Sequence, residues 1–239
     1  MLSYGQSNQQ VIVNSARTAE QSAGVRSTGN FSRSDTQVTA FYRCYYTGPL
    51  ELPESYDGLK LRQGSQAGCS LDYKKYDVFF YPAEAVATGH VPVSQSLATA
   101  TPERIAMVVP HEDFHSQISA LPDRIAEASA TLVGFLVASL ASDAEIFLQK
   151  SEIVNRRYQE LRSIYQAKLS KRFVLEQKAS VFAAIQRECA SIHGESRSFN
   201  KCLSASNNAG LAFDYTYTKY YPLLYQVWSS CERGFQVHR

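Results

Sequence analysis

The sequence predicts a predominantly helical α+β domain with a small β-sheet in its N-terminal half. Two short runs of strand character lie before residue 100, and apolar residues recur at helical spacing after it. That second part also carries a series of helix-start signatures and glycine or proline stops. With 239 residues the chain can bury one sizeable core. We read 1–239 as one domain in four parts: an N-terminal segment 1–36, flexible or helical; a small sheet with loops at 37–100; a helix pair at 101–142; and a helical part at 143–239.

The first strand is expected within "QVTAFYRCYY" (37–46), where Val38, Ala40, Tyr42, Cys44 and Tyr46 share one face at period two, and the second within "YKKYDVFFYP" (73–82). Between them, "TGPLELPESYDGLKLRQGSQAG" has Gly and Pro at turn spacing and reads as a long loop. Thr101-Pro102-Glu103 is a helix start: a capping hydroxyl, a proline where its missing N–H costs nothing, and an acid in the first turn. Asp123, after Leu121-Pro122, is expected to cap a second helix, which leads into the apolar "ATLVGFLVASLA" (130–141), too short to span a membrane. Ser142-Asp143 opens one long helical segment with apolar positions at Phe147, Val154, Tyr158, Leu161, Tyr165, Leu169, Phe173, Phe182 and Ile185, stopped at Gly194. A last helix begins at Ser206-Asn207-Asn208 and is ended or kinked by Pro222.

Charge narrows the partners. Lys and Arg number 24 against 22 Asp and Glu, so no strong field for nucleic acid arises. The most basic stretch, Lys150 to Lys178, interleaves Glu152, Glu160 and Glu176, as a solvated helix face does. The start, MLSYGQSNQQ, lacks the basic and apolar regions of a signal peptide, so export or membrane attachment would rest on a signal or lipid anchor outside this sequence. In an oxidising compartment the first disulfides to expect are Cys44 with Cys69 and Cys189 with Cys202; all five cysteines could equally be buried thiols.

The chemistry concentrates in "VVPHEDFHSQ" (108–117), which holds two of the five histidines. His111 and His115, four apart, project from one side of a helix and suit two corners of a tetrahedron around Zn²⁺. Glu112 lies one position round, where it can act as a general base towards a water. Catalytic zinc takes a third protein ligand and leaves one position open. Ser119-Ala120-Leu121-Pro122 reads as a turn that folds a second helix back on the first, which puts Glu127 one turn inside that helix, facing the pair. The remaining histidines, His90, His193 and His238, have loop, helix-end and tail positions.

These residues resemble a bacterial family of zinc-dependent peptidases known as predicted aminopeptidases, in the zincin group, whose third ligand is a glutamate of the following helix. Glu127-Ala128-Ser129-Ala130-Thr131 is similar to the family's segment downstream of the metal motif, and Asn207-Asn208-Ala209, Thr216-Tyr217 and Tyr220-Tyr221-Pro222 match its C-terminal motif. "RRYQELRSIYQAKL" and "KASVFAAIQRECASI" resemble its helical insert, and "SYGQSNQQVIV" loosely resembles its N-terminal helix. The likeness implies a zincin-like fold and zinc-dependent hydrolysis of peptide or protein substrates, with His111, His115 and Glu127 as ligands and Glu112 as base. Family members look exported or lipid-anchored, which implies an extracytoplasmic setting. Tyr217, with Tyr215 and Tyr220 in reserve, is expected to donate to the oxyanion, or else simply to pack. Asn207 and Asn208 bind the substrate backbone or cap a helix, and Thr131 supports a ligand or points into the core. One departure is Pro110, before the first histidine, where the family has an aromatic or apolar residue; the helix starts afresh there or kinks. The competing readings are a non-catalytic helical binding protein built on 143–192, or a closed structural zinc site.

Overall fold

A computed structural model describes residues 8–35, 37–64, 69–86, 89–199 and 204–236. It is mostly helical, with one three-stranded antiparallel sheet of order β2-β1-β3, formed by β1 (Phe41–Thr47), β2 (Lys60–Gln63) and β3 (Asp77–Ala83). Tyr45 pairs with Leu61 on one side and Phe79 on the other. β2 lies inside the expected long loop: "KLRQ" is too short and polar to announce a strand and exists through its ladder to β1. Cys44 and Cys69 are bridged across the back of the sheet, packed with Val78. Cys189 is also disulfide-bonded; its expected partner, Cys202, lies outside the described residues.

Eight helices surround this sheet among the described residues: α1 (Asn8–Ala23), α2 (Gln95–Ala98), α3 (Pro102–Phe114), α4 (Asp123–Val137), α5 (Ala141–Gln166), α6 (Lys171–Ala190), α7 (Asn208–Thr218) and α8 (Tyr221–Gln236). The Thr101 hydroxyl accepts from the Arg104 N–H and starts α3 as expected. Pro110 neither restarts nor ends α3, which runs through it to Phe114. Asp123 is not the cap of α4: it is the first helical residue after Pro122 and makes no capping bond. Its acid still favours that end of the helix through the macrodipole.

The long segment after Ser142 is two helices. It breaks at 167–170, where Ala167 turns extended and Ser170 caps α6 by accepting from the Phe173 N–H. Leu169 and Phe173, which appeared to continue the stripe, are 46% and 45% exposed at that break. α6 folds back on α5, burying Val154, Leu161, Val181 and Ile185 in one cluster, and both Arg156 and Arg157 reach Glu188 across the hairpin. Lys150, placed on a solvated face by its charged surroundings, is 4% exposed and paired at 3.1 Å with buried Asp214. The C-terminal region is likewise two helices: α7 stops at Thr218, and Pro222 is the second residue of α8, a position where it costs no hydrogen bond.

α7 is the wedge that joins the layers. Ala209, Ala212 and Phe213 pack on Tyr45, Phe79 and Tyr81 of the sheet, whereas Leu211 and Tyr215 enter the α5–α6 cluster. Gly210 permits this seat, because a Cβ there would lie 1.7 Å from the Ser204 carbonyl oxygen. The largest cluster lies beneath α1, α3, α4 and α8 around Phe31, Leu97, Ile105, Phe135 and Tyr221. No helix among the described residues is long and apolar enough to cross a membrane.

Candidate metal centre

α3 and α4 form an antiparallel pair, as their contacts show: His115 meets Glu127 near the turn, and Met107 meets Gly134 further along. Gly134 is what lets them approach, since a Cβ there would sit 2.7 Å from the Met107 carbonyl oxygen and 3.4 Å from His111 Cβ. α3 passes into a tight turn at His115–Gln117, and the chain then reverses into α4. Glu127, one turn into α4, thereby faces both imidazoles.

The three side chains meet through one atom each. His111 Nε2 lies 3.3 Å from His115 Nε2 and 3.3 Å from Glu127 Oε2, and His115 Nε2 lies 3.4 Å from the same oxygen. A regular tetrahedron with bonds of ~2.0–2.1 Å has corners ~3.3–3.4 Å apart, so this triangle matches three corners around zinc. A web of hydrogen bonds would aim an N–H at the carboxylate, yet Glu127 Oε2 is buried and accepts none. One donor atom from each of three side chains thus lies in a single small triangle, an arrangement that could hold a metal ion. Among the described residues this is the one group of three such donors drawn together. Two nitrogens and one oxygen suit Zn²⁺.

The surroundings fix these three side chains. Tyr56, in the loop before β2, donates its hydroxyl to Glu127 Oε1 at 2.9 Å, which leaves Oε2 to the histidines. Sequence reasoning missed this residue. Buried Asp113 anchors the other side of α3, accepting from the Thr28 N–H at 3.1 Å, the Thr28 hydroxyl at 2.5 Å and the Asn30 amide at 3.0 Å. His111 Nδ1 is buried without a partner. Thr131, one turn beyond Glu127, is buried and lines the same cavity as the three side chains.

Burial and charge tune the group. Burial would raise Glu127, but the two imidazoles hold it well below the usual carboxylate range. Burial lowers His111 despite its contact with Glu127; at His115 burial acts the same way, but Glu127 outweighs it and the ring is raised. Desolvation pushes Glu112 up to about 8, the range of a group that exchanges protons near neutrality. Tyr217 is raised well above its ordinary value, by burial first and the Glu127 charge second, and so keeps its proton. Its ring lies 6.4 Å from that of His111, and it packs on Phe213 and Tyr56.

Two cavities reach the centre. The larger, about 1160 Å³, is walled by His111, Glu112, His115, Glu127, Thr131 and Tyr217 on the helical side and by β1 and β3 on the other. The smaller, about 370 Å³, also touches Glu112 and His115, together with Thr28, Asn30 and Asp123. Asn207 and Asn208 line neither. Asn207 caps α7 by accepting from the Gly210 N–H and donates to the Val78 carbonyl; Asn208 donates to the Pro49 and Glu51 carbonyls and accepts from Tyr165. Of the two roles open to these residues, Asn207 takes the cap, and the Asn208 amide binds backbone carbonyls of the loop after β1. Of the reserves for Tyr217, Tyr215 is buried and accepts from Gln159, and neither it nor Tyr220 lines a cavity at the centre. His90 and His193 are exposed, and His238 lies outside the described residues. No family model, curated protein or solved structure matches the chain.

Proposed function

We propose that this protein is a zinc-dependent peptide hydrolase with a zincin-like centre, of the aminopeptidase-like kind its motifs resemble. One observation carries the reading: three donor atoms 3.3–3.4 Å apart, drawn from one helix and the next, beside a cavity that also exposes Glu112. A closed structural site would need a fourth protein donor, and among the described residues the group has three. When bound, zinc supplies a Lewis acid for the scissile carbonyl and acidifies a water.

His111, His115 and Glu127 would hold the ion, and Tyr56, by donating to Glu127 Oε1, keeps that carboxylate turned towards the two imidazoles. Glu112 takes the proton of the attacking water and returns it to the leaving amine. A nearby cation favours its ionised form for the first step, and its raised affinity for protons suits the second. Tyr217, a neutral O–H on the cavity wall beside His111, donates to charge developing on the carbonyl oxygen. The larger cavity is roomy enough for a peptide segment, and its aromatic walls suit apolar side chains. The Cys44–Cys69 bridge supports an oxidising, extracytoplasmic setting.

Metal analysis of protein purified without added zinc, beside His115→Ala and Glu112→Gln, tests this. The expected result is about one equivalent of zinc in the native protein and in Glu112→Gln, loss of it in His115→Ala, and peptide hydrolysis only in the native protein. Absence of zinc, or unchanged hydrolysis by Glu112→Gln, overturns the proposal.

A further inference from the structure

Four cationic side chains line the larger cavity besides the histidines, and three are neutralised. Arg104 pairs with Glu84, Lys150 with Asp214 and Arg197 with Glu103. Arg43, partly buried on the central strand, has no ion pair or hydrogen bond among the described residues. It shares the inner face of β1 with Tyr45, two positions on, and stands opposite Tyr81 of β3. The Tyr45 ring lies 6.2 Å from that of Tyr56, whose hydroxyl holds Glu127. An uncompensated guanidinium therefore sits on the sheet wall of the cavity that contains the three ligands.

A guanidinium that lines a cavity with no counter-charge beside it is available to an incoming anion, whereas the other three cations of this wall already hold carboxylates. A guanidinium offers a planar fork of donors that matches a carboxylate. We propose that Arg43 is the substrate-anchoring residue of this cavity and that its ligand is a carboxylate of the bound peptide. Tyr45, Phe79 and Tyr81 flank it and would seat the apolar part of the same residue. This inference rests on the peptidase reading for the identity of the ligand as a peptide. The anchoring itself is a binding property that does not need turnover.

The carboxylate is either the free C-terminus or an acidic side chain, and matched peptides separate the two. Calorimetric titrations of the zinc-loaded full chain would use peptides ending in a free acid or an amide, and peptides carrying Glu or Gln. In one of the two pairs the acid is expected to bind about ten- to a hundred-fold tighter than its amide, the ratio given by a charge-assisted pair. Arg43→Gln brings that ratio close to one, while Arg43→Lys keeps part of it. Added salt shrinks the ratio in the native protein and leaves it flat in Arg43→Gln, a response that a merely structural role would not give. No preference for either acid, or a preference that survives Arg43→Gln, overturns the inference. Arg43-dependent binding without any cleavage would uphold it and defeat the peptidase reading; cleavage without an acid preference would do the reverse.

Discussion

Tyr56→Phe isolates one hydrogen bond. The hydroxyl lies 2.9 Å from Glu127 Oε1, and the ring is held separately by Tyr45, Phe213 and Tyr217 at centroid distances of 6.2, 6.3 and 6.4 Å. Removing one oxygen atom leaves that packing in place, so the fold should lose little. The ligand is affected differently. A bond to a charged acceptor is worth about 1.5–3 kcal/mol, and outer partners of metal ligands typically govern ten- to a hundred-fold in affinity, about 1.4–2.7 kcal/mol. The two ranges overlap, which places the loss at ten-fold or more. Without Tyr56, Glu127 is free to rotate, and its single-oxygen approach to the two imidazoles is no longer imposed. Zinc affinity read by competition with a chromophoric chelator should fall by that factor while the thermal midpoint moves by only a few degrees. An unchanged zinc affinity would show that the hydroxyl does not position Glu127, and a collapse of the thermal midpoint would show that Tyr56 acts as packing.

Three further outcomes follow from other contacts. Gly134→Ala gains up to about 1 kcal/mol of helix propensity, but its methyl would lie 2.7 Å from the Met107 carbonyl; overpacking of about 1–3 kcal/mol prevails, so both stability and zinc affinity should drop, measured by thermal melts and the chelator assay. Asp113→Ala leaves the Thr28 and Asn30 donors without their acceptor and should cost a few kcal/mol in urea unfolding. Glu20 is buried, and desolvation raises it to about 7 from 4.5. The folded state therefore favours the protonated form: stability is intact below pH 4.5 and declines as pH rises from there through about 7. Glu20→Gln should flatten that profile, with denaturant midpoints recorded from pH 4 to pH 9 as the check.

What could be read from the sequence was local. Thr101 and Asn207 cap the helices they precede because capping depends on residues within three positions of the cap. The histidine pair follows from helical geometry, and Glu127 from a turn only a few residues away. The break at 167–170 was hidden because apolar spacing continues through it, and only the exposure of Leu169 and Phe173 reveals that the stripe has ended. Long-range partners were invisible. Tyr56 reaches Glu127 across 71 positions, and Lys150 finds Asp214 across 64. A basic residue among other charges reads as solvated until its buried partner is known. β2 failed for a related reason, since its four residues depend on a neighbour for their strand character. Asn207 and Asn208 left two roles open, substrate contact or capping; Asn207 caps α7, and the backbone partners of Asn208, 157 and 159 positions away, could not be read locally.

Glu112 and His115 form a partition with a chamber on each side of it. Side chains that belong to two rooms cannot be recut for one alone. A change of size at either position alters both hollows at once. The narrow chamber thus gives a second approach to the same two groups, walled by Thr28, Asn30 and Asp123 rather than by the aromatic sheet.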